Sequence, residues 1–299
     1  MRLLVLGGSR FLGRAIVEAA IASGIDITCF RRGTTTLRQP VHLVRGDRTC
    51  RADVAQLAAA GHWDAVIDTA AYIPGEVRDL AIALKPVVGR YVLISTVAAY
   101  KQWPAEPTSE QSPLYECPPD AHQEDVTYGA LKAGCETAVR EVFGADRTAI
   151  LRPGAILGPH DYLGRLPWWL RRIERGGRVL APGNPERTIQ PIDVRDVAEF
   201  AIRTAARLSG TFNVAGSGRD TMSDLLVACR VVTASDAELE WVTDEKWLAA
   251  QGLKPWTDLP LWRIERGVWQ VDCTRAQQAG LRARPILDTV ESTWEWLDS

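Results

Sequence analysis

Short apolar runs alternate with longer stretches whose apolar residues recur at helical spacing. Residues 3–6 are continuously apolar and stop at Gly7 and Gly8, as a buried strand ending in a tight turn does. Phe11, Leu12, Ala15, Ile16, Ala19 and Ala20 then follow a helical period up to Ser23 and Gly24, which predicts a helix and its stop. Residues 25–30 alternate with period two and predict a second strand. Further strands are predicted at 41–44, 63–68, 89–95 and 146–151, with helices at 52–60, 76–84 and 126–142. Strands and helices in this alternation imply an α/β fold with a parallel sheet covered on both faces.

Beyond residue 150 the pattern changes. Nine of the eleven tryptophans lie there, and helices predicted at 166–174 and 222–231 mix with strands. We expect a Rossmann-type doubly wound domain over residues 1–153 and a smaller C-terminal α+β substrate lobe over 154–299, with some later segments returning to the first domain. The tryptophans are expected to serve mainly as lobe packing.

The glycine turn between the first strand and helix, Gly7-Gly8-Ser9-Arg10-Phe11-Leu12-Gly13, is suited to a dinucleotide. Backbone N–H groups and the positive end of the helix face a pyrophosphate there. About 20 residues further on, an NAD site usually places an acid on the ribose 2′-hydroxyl. Arg31 and Arg32 stand here instead, with Arg10 inside the turn. Two charge-assisted bonds to a 2′-phosphate would favour NADP(H) by about 3 kcal/mol, on the order of a hundredfold. NAD(H) is kept as the second cofactor. Ligands of such a sheet bind beyond the carboxyl ends of its strands, where Asp47, Arg48, Asp68, Ala70, Ala71 and the pair Ser95-Thr96 fall.

Tyr128 and Lys132, four residues apart in a predicted helix, stack on one face. With six Tyr and five Lys in 299 residues, chance gives only about 0.1 such pairs, so the spacing carries weight. An ammonium in that place is expected to lower the phenol's pKa and make it a proton donor and acceptor for an alcohol or ketone. Residues 101–125 form a long irregular acidic segment with five prolines, read as a solvated loop or a wall of the site.

Composition narrows the partners. The chain is 46% hydrophobic and 24% charged, with a net charge of −2 and a pI near 6.1, so no overall field draws it to nucleic acid or an anionic membrane. Six scattered cysteines suggest neither a disulfide framework nor a metal site. No metal, signal peptide or membrane span is expected, and a cytoplasmic monomer or homodimer acting on a small molecule fits.

Together these motifs resemble the extended, or atypical, short-chain dehydrogenase/reductase family, the NAD(P)-dependent epimerase, dehydratase and reductase group. The resemblance also rests on Arg152-Pro153 with Gly158-Pro159, on the run from Gln190 to Asp196, and on Phe212-Asn213-Val214. It implies that Tyr128 is the catalytic acid/base, that Lys132 supports it and holds the nicotinamide ribose, and that Thr96 is the catalytic hydroxyl. Asp47 would contact adenine, Ala70 and Ala71 would line the cofactor, and Pro153 would pack near the nicotinamide amide. Tyr72, His160, Gln190 and Arg195 are candidate substrate contacts.

Two departures from the family pattern matter. Arg10 replaces the middle glycine of Gly-x-x-Gly-x-x-Gly, and Val97-Ala98 follows Thr96 where 4,6-dehydratases carry Asp-Glu. The second removes the acid/base pair for eliminating water. The expected activity is hydride transfer between NADP(H) and a secondary alcohol or ketone of a sugar-like or secondary-metabolite substrate. An epimerase with retained cofactor is the alternative, and a non-catalytic relative of chloroplast RNA-binding proteins, which resemble this chain at Gly-Gly-x-Arg-Phe, is a remote one. For the substrate, the acids Glu106, Glu110, Glu116, Asp120, Glu124 and Asp125 favour a cation such as an amino sugar. Arg165, Arg171, Arg172, Arg187 and Arg195 favour a nucleotide diphosphate instead.

Overall fold

The computed structural model describes residues 1–33, 41–117 and 126–299. Six strands precede residue 154: β1 (Arg2–Leu6), β2 (Asp26–Arg31), β3 (His42–Arg45), β4 (Trp63–Asp68), β5 (Val88–Ile94) and β6 (Thr148–Pro153). They interleave with α1 (Phe11–Ala22), α2 (Arg51–Ala59), α3 (Pro74–Leu84) and α4 (Tyr128–Phe143). Next come β7 (Ile156–Leu157), α5 (Arg165–Glu174), β8 (Arg178–Pro182), β9 (Ile192–Asp193), α6 (Val194–Arg207) and β10 (Gly210–Val214). The chain ends with α7 (Met222–Val232), β11 (Glu238–Val242), α8 (Glu245–Ala250), α9 (Thr274–Gln278) and α10 (Ile286–Leu297).

Seven parallel strands form the main sheet in the order β10-β6-β5-β4-β1-β2-β3. The continuous apolar runs follow from burial on both faces. In β1, Leu3 and Val5 enter the core shared with α1 and α6, while Leu4 and Leu6 enter the opposite core under α2, α3 and α4. Strand order reverses direction at β1 and β4, and a crevice opens there beyond the carboxyl ends.

Element boundaries differ slightly from the periodicity. Helix α4 starts at Tyr128 because the Thr127 hydroxyl accepts the Ala130 N–H at 3.4 Å and caps it. Strand β5 stops at Ile94, so Ser95 and Thr96 stand just beyond it.

After residue 153 the chain serves two bodies. Helix α6 and strand β10 lie with the large sheet, and Phe200, Phe212 and Val214 share a core with Leu3. A second core gathers α5, α7, α10, Trp169 and Trp262 beside the parallel pair β8 and β11.

The segment after β5 is tied down. Thr108 donates its N–H to Gln270 at 3.0 Å and accepts that of Asp272 at 2.8 Å, and Gly267 donates to the Pro104 carbonyl. Pro118, Pro119, Asp120, Glu124 and Asp125 lie outside the described residues. Among those described, no helix is long and apolar enough to cross a membrane.

Candidate active site

The crevice is a cleft of about 980 Å³, at the upper end of the range for small-molecule sites. Gly7 and Gly8 have φ of +105° and +88°, a region that favours glycine. A Cβ on Gly7 would lie 2.4 Å from Thr69 Oγ1, and one on Gly13 would lie 2.7 Å from the Gly8 nitrogen. The start of α1 therefore sits against the turn as only glycines allow. Arg10, the N-cap, is extended at φ −131° and ψ 148°, so its place needs no glycine. Its side chain makes no cap bond, and the first turn of α1 carries no acid. The leading amides of a 12-residue helix thus face the cleft uncapped, and the residues present fit a pyrophosphate.

Arg10, Arg31, Arg32 and Asp47 line one end of this cleft. The Asp47 carboxylate accepts the Thr49 N–H at 2.9 Å and its hydroxyl at 2.8 Å, which hold it below the usual carboxylate range. Arg48 also borders the cleft, but its guanidinium is committed to Asp68 by two bonds of 3.0 Å. The fully buried Asp68 also accepts the Tyr91 hydroxyl at 2.7 Å and the Ala70 N–H at 2.9 Å. Arg48 thus holds the ends of β3 and β4 together.

At the other end stand Thr96, Tyr128, Lys132 and Pro153. Thr96 Oγ1 accepts the Ala98 N–H at 3.1 Å, leaving its own proton to donate. Tyr128 opens α4 and is 52% exposed. Lys132, one turn later, is buried, and its ammonium donates to the carbonyls of Ala71 at 2.8 Å and Ile94 at 2.6 Å. Ala71, a buried residue, meets the site through this carbonyl.

The expected lowering of the phenol's pKa by Lys132 is not what this geometry gives. Desolvation by the surrounding cleft walls, then the neighbouring Tyr72 and Tyr162, push Tyr128 above its ordinary value even though half of the residue stays exposed, while the Lys132 ammonium is directed to two carbonyls. Burial likewise lowers Lys132 itself.

A buried network braces the site from below. Glu136 on α4 accepts Ser95 Oγ at 2.6 Å and the Nε and Nη2 groups of Arg152 at 2.9 and 2.6 Å. Arg152 also donates to the Tyr100 hydroxyl at 2.8 Å, which donates to Asn213 at 2.6 Å. The family motifs at residues 152 and 212–214 are thereby joined.

The four substrate candidates separate. Tyr72 lines the cleft with Lys132 5.6 Å over its ring. Gln190 borders a second cavity, but its amide pairs with both backbone groups of Val271, at 3.2 and 2.8 Å. His160 packs edge-on against Trp296, 5.0 Å between ring centres, outside both cavities. Arg195 is bonded to Asp193 and to the Asp288 carbonyl.

The second cavity, about 250 Å³, adjoins the cleft and shares Thr96, Tyr128, Gly154 and Arg165 with it. Its far wall carries Trp103, Trp256, Trp269 and Arg263. Reading the tryptophans as packing holds for the buried Trp169, Trp262 and Trp269, and Trp103 and Trp256 pack against the same core, but Trp103, Trp256 and Trp269 also wall the cavity. Nothing in the local pattern marks them as cavity walls, although the density of tryptophans after residue 250 was an available signal for Trp256 and Trp269.

Comparisons with known proteins agree with this architecture. The family model described as "NAD dependent epimerase/dehydratase family" matches residues 3–83 and 75–215. A curated Arabidopsis thaliana relative, chloroplast stem-loop binding protein of 41 kDa b, is 24% identical over 247 residues, covering 76% of this chain and 62% of its own length. The chain thus spans less than two thirds of that relative. Bordetella bronchiseptica WbmH in complex with NAD+ shares the fold at a TM-score of 0.74 and 19% identity, over 100% of this chain and 98% of that one. UDP-N-acetylglucosamine 4-epimerase from Methanobrevibacter ruminantium does so at 0.73 and 21%, over 99% and 98%. With a parallel sheet, a glycine turn at its crevice and a family match across most of its length, the chain belongs to the NAD dependent epimerase/dehydratase family.

Proposed function

We propose that the protein is an NADP(H)-dependent oxidoreductase that interconverts a ketone and a secondary alcohol. One observation carries the reading: Thr96, Tyr128 and Lys132 share a cleft with the glycine turn and with Arg31 and Arg32, where no acid ends β2. When bound, the reduced nicotinamide supplies a hydride to the carbonyl carbon. The uncapped amides of α1 bind the pyrophosphate, and Arg10, Arg31 and Arg32 grip the 2′-phosphate. Asp47 binds adenine, with Ala70 and Pro153 as apolar walls. Two of the three Lys132 ammonium protons are held by backbone, and the third binds the nicotinamide ribose.

Thr96 donates a hydrogen bond to the substrate oxygen. Tyr128, protonated at neutral pH as any phenol is, gives its proton to that oxygen as negative charge develops there. The product is the secondary alcohol. Screening ketones and nucleotide sugars for NADPH oxidation tests this reading, and stoichiometric cofactor consumption is expected.

The fold likeness to the 4-epimerase supports a second reading, epimerisation with retained cofactor. It requires nicotinamide released only on denaturation and sugar turnover without net oxidation. RNA binding, suggested by the plant relative's name, runs against the net charge of −2. A salt-dependent gel shift at physiological ionic strength would restore it.

A further inference from the structure

Taking that function as its base, we propose that the substrate is a compact, flat, singly anionic ketone or alcohol, a one-ring carboxylate, recognised by Arg165 and an aromatic wall in the second cavity. Size is the first argument. At about 250 Å³ the cavity alone is smaller than the range of about 300–1,000 Å³ that holds drug-sized ligands, so a nucleotide sugar would have to extend into the cleft assigned to the cofactor, whereas a one-ring ligand would not.

Charge is the second argument. Of the arginines named above for a diphosphate, Arg171 donates to Glu174 and the Leu297 carbonyl, and Arg172 to the carbonyls of Gly176 and Arg178. Arg187 forms a forked pair with Glu245, and Arg195 is held by Asp193. Arg165 is different. It lines both cavities, is half-buried, and has no ion pair within 4.0 Å among the described residues. Buried Asp161 accepts the Leu163 N–H at Oδ1 and acts on Arg165 electrostatically without an ion-pair contact. The other guanidinium on the cavity wall, Arg263, has Glu265 at 3.2 Å. Arg165 is thus the cavity guanidinium without a carboxylate in direct contact among the described residues, and no described acid of the segment 101–117 lines the cavity.

Shape is the third argument. Arg165 and Arg263 lie over the Trp256 ring at 4.6 and 4.8 Å, and Trp269 stands 6.3 Å away, tilted by 41°. Trp103 closes the wall under Arg263 at 5.9 Å, and its Nε1–H has no partner among the described residues. Flat, polarisable walls flanked by guanidinium groups favour a flat ring with a negative edge. Because Thr96 and Tyr128 belong to both cavities, the ring's carbonyl meets the hydride and proton donors while its anion meets Arg165.

The wall tryptophans provide a readout that needs no turnover. Quenching of protein fluorescence is titrated with 4-acetylbenzoate, its methyl ester, and UDP-glucose, with NADP+ present. The acid is expected to bind at least tenfold more tightly than either. Arg165→Met should abolish that preference, Arg165→Lys should restore part of it, and NADP+ affinity should stay unchanged in both. Equal binding of acid and ester, tighter binding of UDP-glucose, absence of binding by all three, or a preference that survives Arg165→Met each overturns the proposal. Acid-selective, Arg165-dependent binding without NADPH oxidation of any bound ketone would instead count against the oxidoreductase reading and leave the ligand class standing.

Discussion

Lys132 reaches from α4 to the carbonyl oxygen of Ile94, the last residue of β5, at 2.6 Å. This bond fixes the helix that carries Tyr128 to the strand end that carries Thr96. Its partner bond to Ala71 adds the segment that follows β4. The lysine therefore aligns three segments around the proposed reacting groups, Thr96 and Tyr128, and keeps one N–H beyond these two bonds.

Tyr128→Phe removes the proton donor and leaves the cofactor walls intact. We expect kcat to fall at least about a hundredfold, with NADP+ affinity within about twofold of wild type. Steady-state kinetics with calorimetry on the same preparation checks both, and unchanged turnover would end the role given to the phenol.

Replacing Arg31 and Arg32 together by serine should weaken NADP+ binding by about a hundredfold, corresponding to about 3 kcal/mol. NAD+ binding should change by less than about threefold, because the contacts concern only the 2′-phosphate. Tighter binding of NAD+ than NADP+ by the unaltered protein would remove the basis for this assignment.

Arg48→Met tests stability rather than affinity. Burial would raise the Asp68 carboxyl, but the Arg48 charge and hydrogen bonds, with those of Tyr91 and Ala70, overcome it and leave the carboxyl below 3.8. A carboxyl lowered by folding stabilises the protein above its unfolded pKa and loses that contribution as pH falls through the folded value. Removing the arginine leaves a buried charge unpaired, at a cost of about 3–5 kcal/mol at neutral pH. Burial then dominates and the folded pKa rises above the unfolded one, so the deficit against wild type should shrink as pH is lowered. Urea melts at pH 7 and pH 4.5 measure it, and a deficit that grows toward acid would refute the pairing.

The parts of this molecule that local chemistry dictates were legible in its sequence. Leu3 to Leu6, the glycines of the first turn and the spacing of Tyr128 and Lys132 each report a backbone requirement within a few residues. The rest depends on which strand ends meet. Arg48 reads as a loop cation until Asp68, twenty residues on, is seen beside it. Glu136 and Arg152 read as a helix acid and a strand base until folding buries them together under Ser95. The aromatic cavity is the least legible, because Trp103 comes from the segment after β5 while Trp256, Arg263 and Trp269 come from beyond α8. Their meeting is set by contacts such as Thr108 with Gln270, which no periodicity announces.

Gly129 gives the strictest test of how closely the phenol is positioned. It follows Tyr128 on the first turn of α4, where a Cβ would lie 2.0 Å from the Ala98 carbonyl oxygen and 2.9 Å from its carbon. Both are backbone atoms, so no rotamer change relieves the overlap, and either the helix or the turn Val97–Ala99 must move. Ala98 also gives its N–H to Thr96 Oγ1 at 3.1 Å, so movement of the turn disturbs the second hydroxyl of the site. Gly129→Ala should gain helix propensity of about 1 kcal/mol yet lose more to overpacking, about 1–3 kcal/mol, for a modest net loss in stability. Activity should suffer far more, since a displacement of about 1 Å at reacting groups costs on the order of a hundredfold in rate. A thermal melt within a few degrees of wild type, together with a kcat reduced at least about thirtyfold, is the expected pair of results, and full activity would show that Tyr128 and Thr96 need not keep this separation.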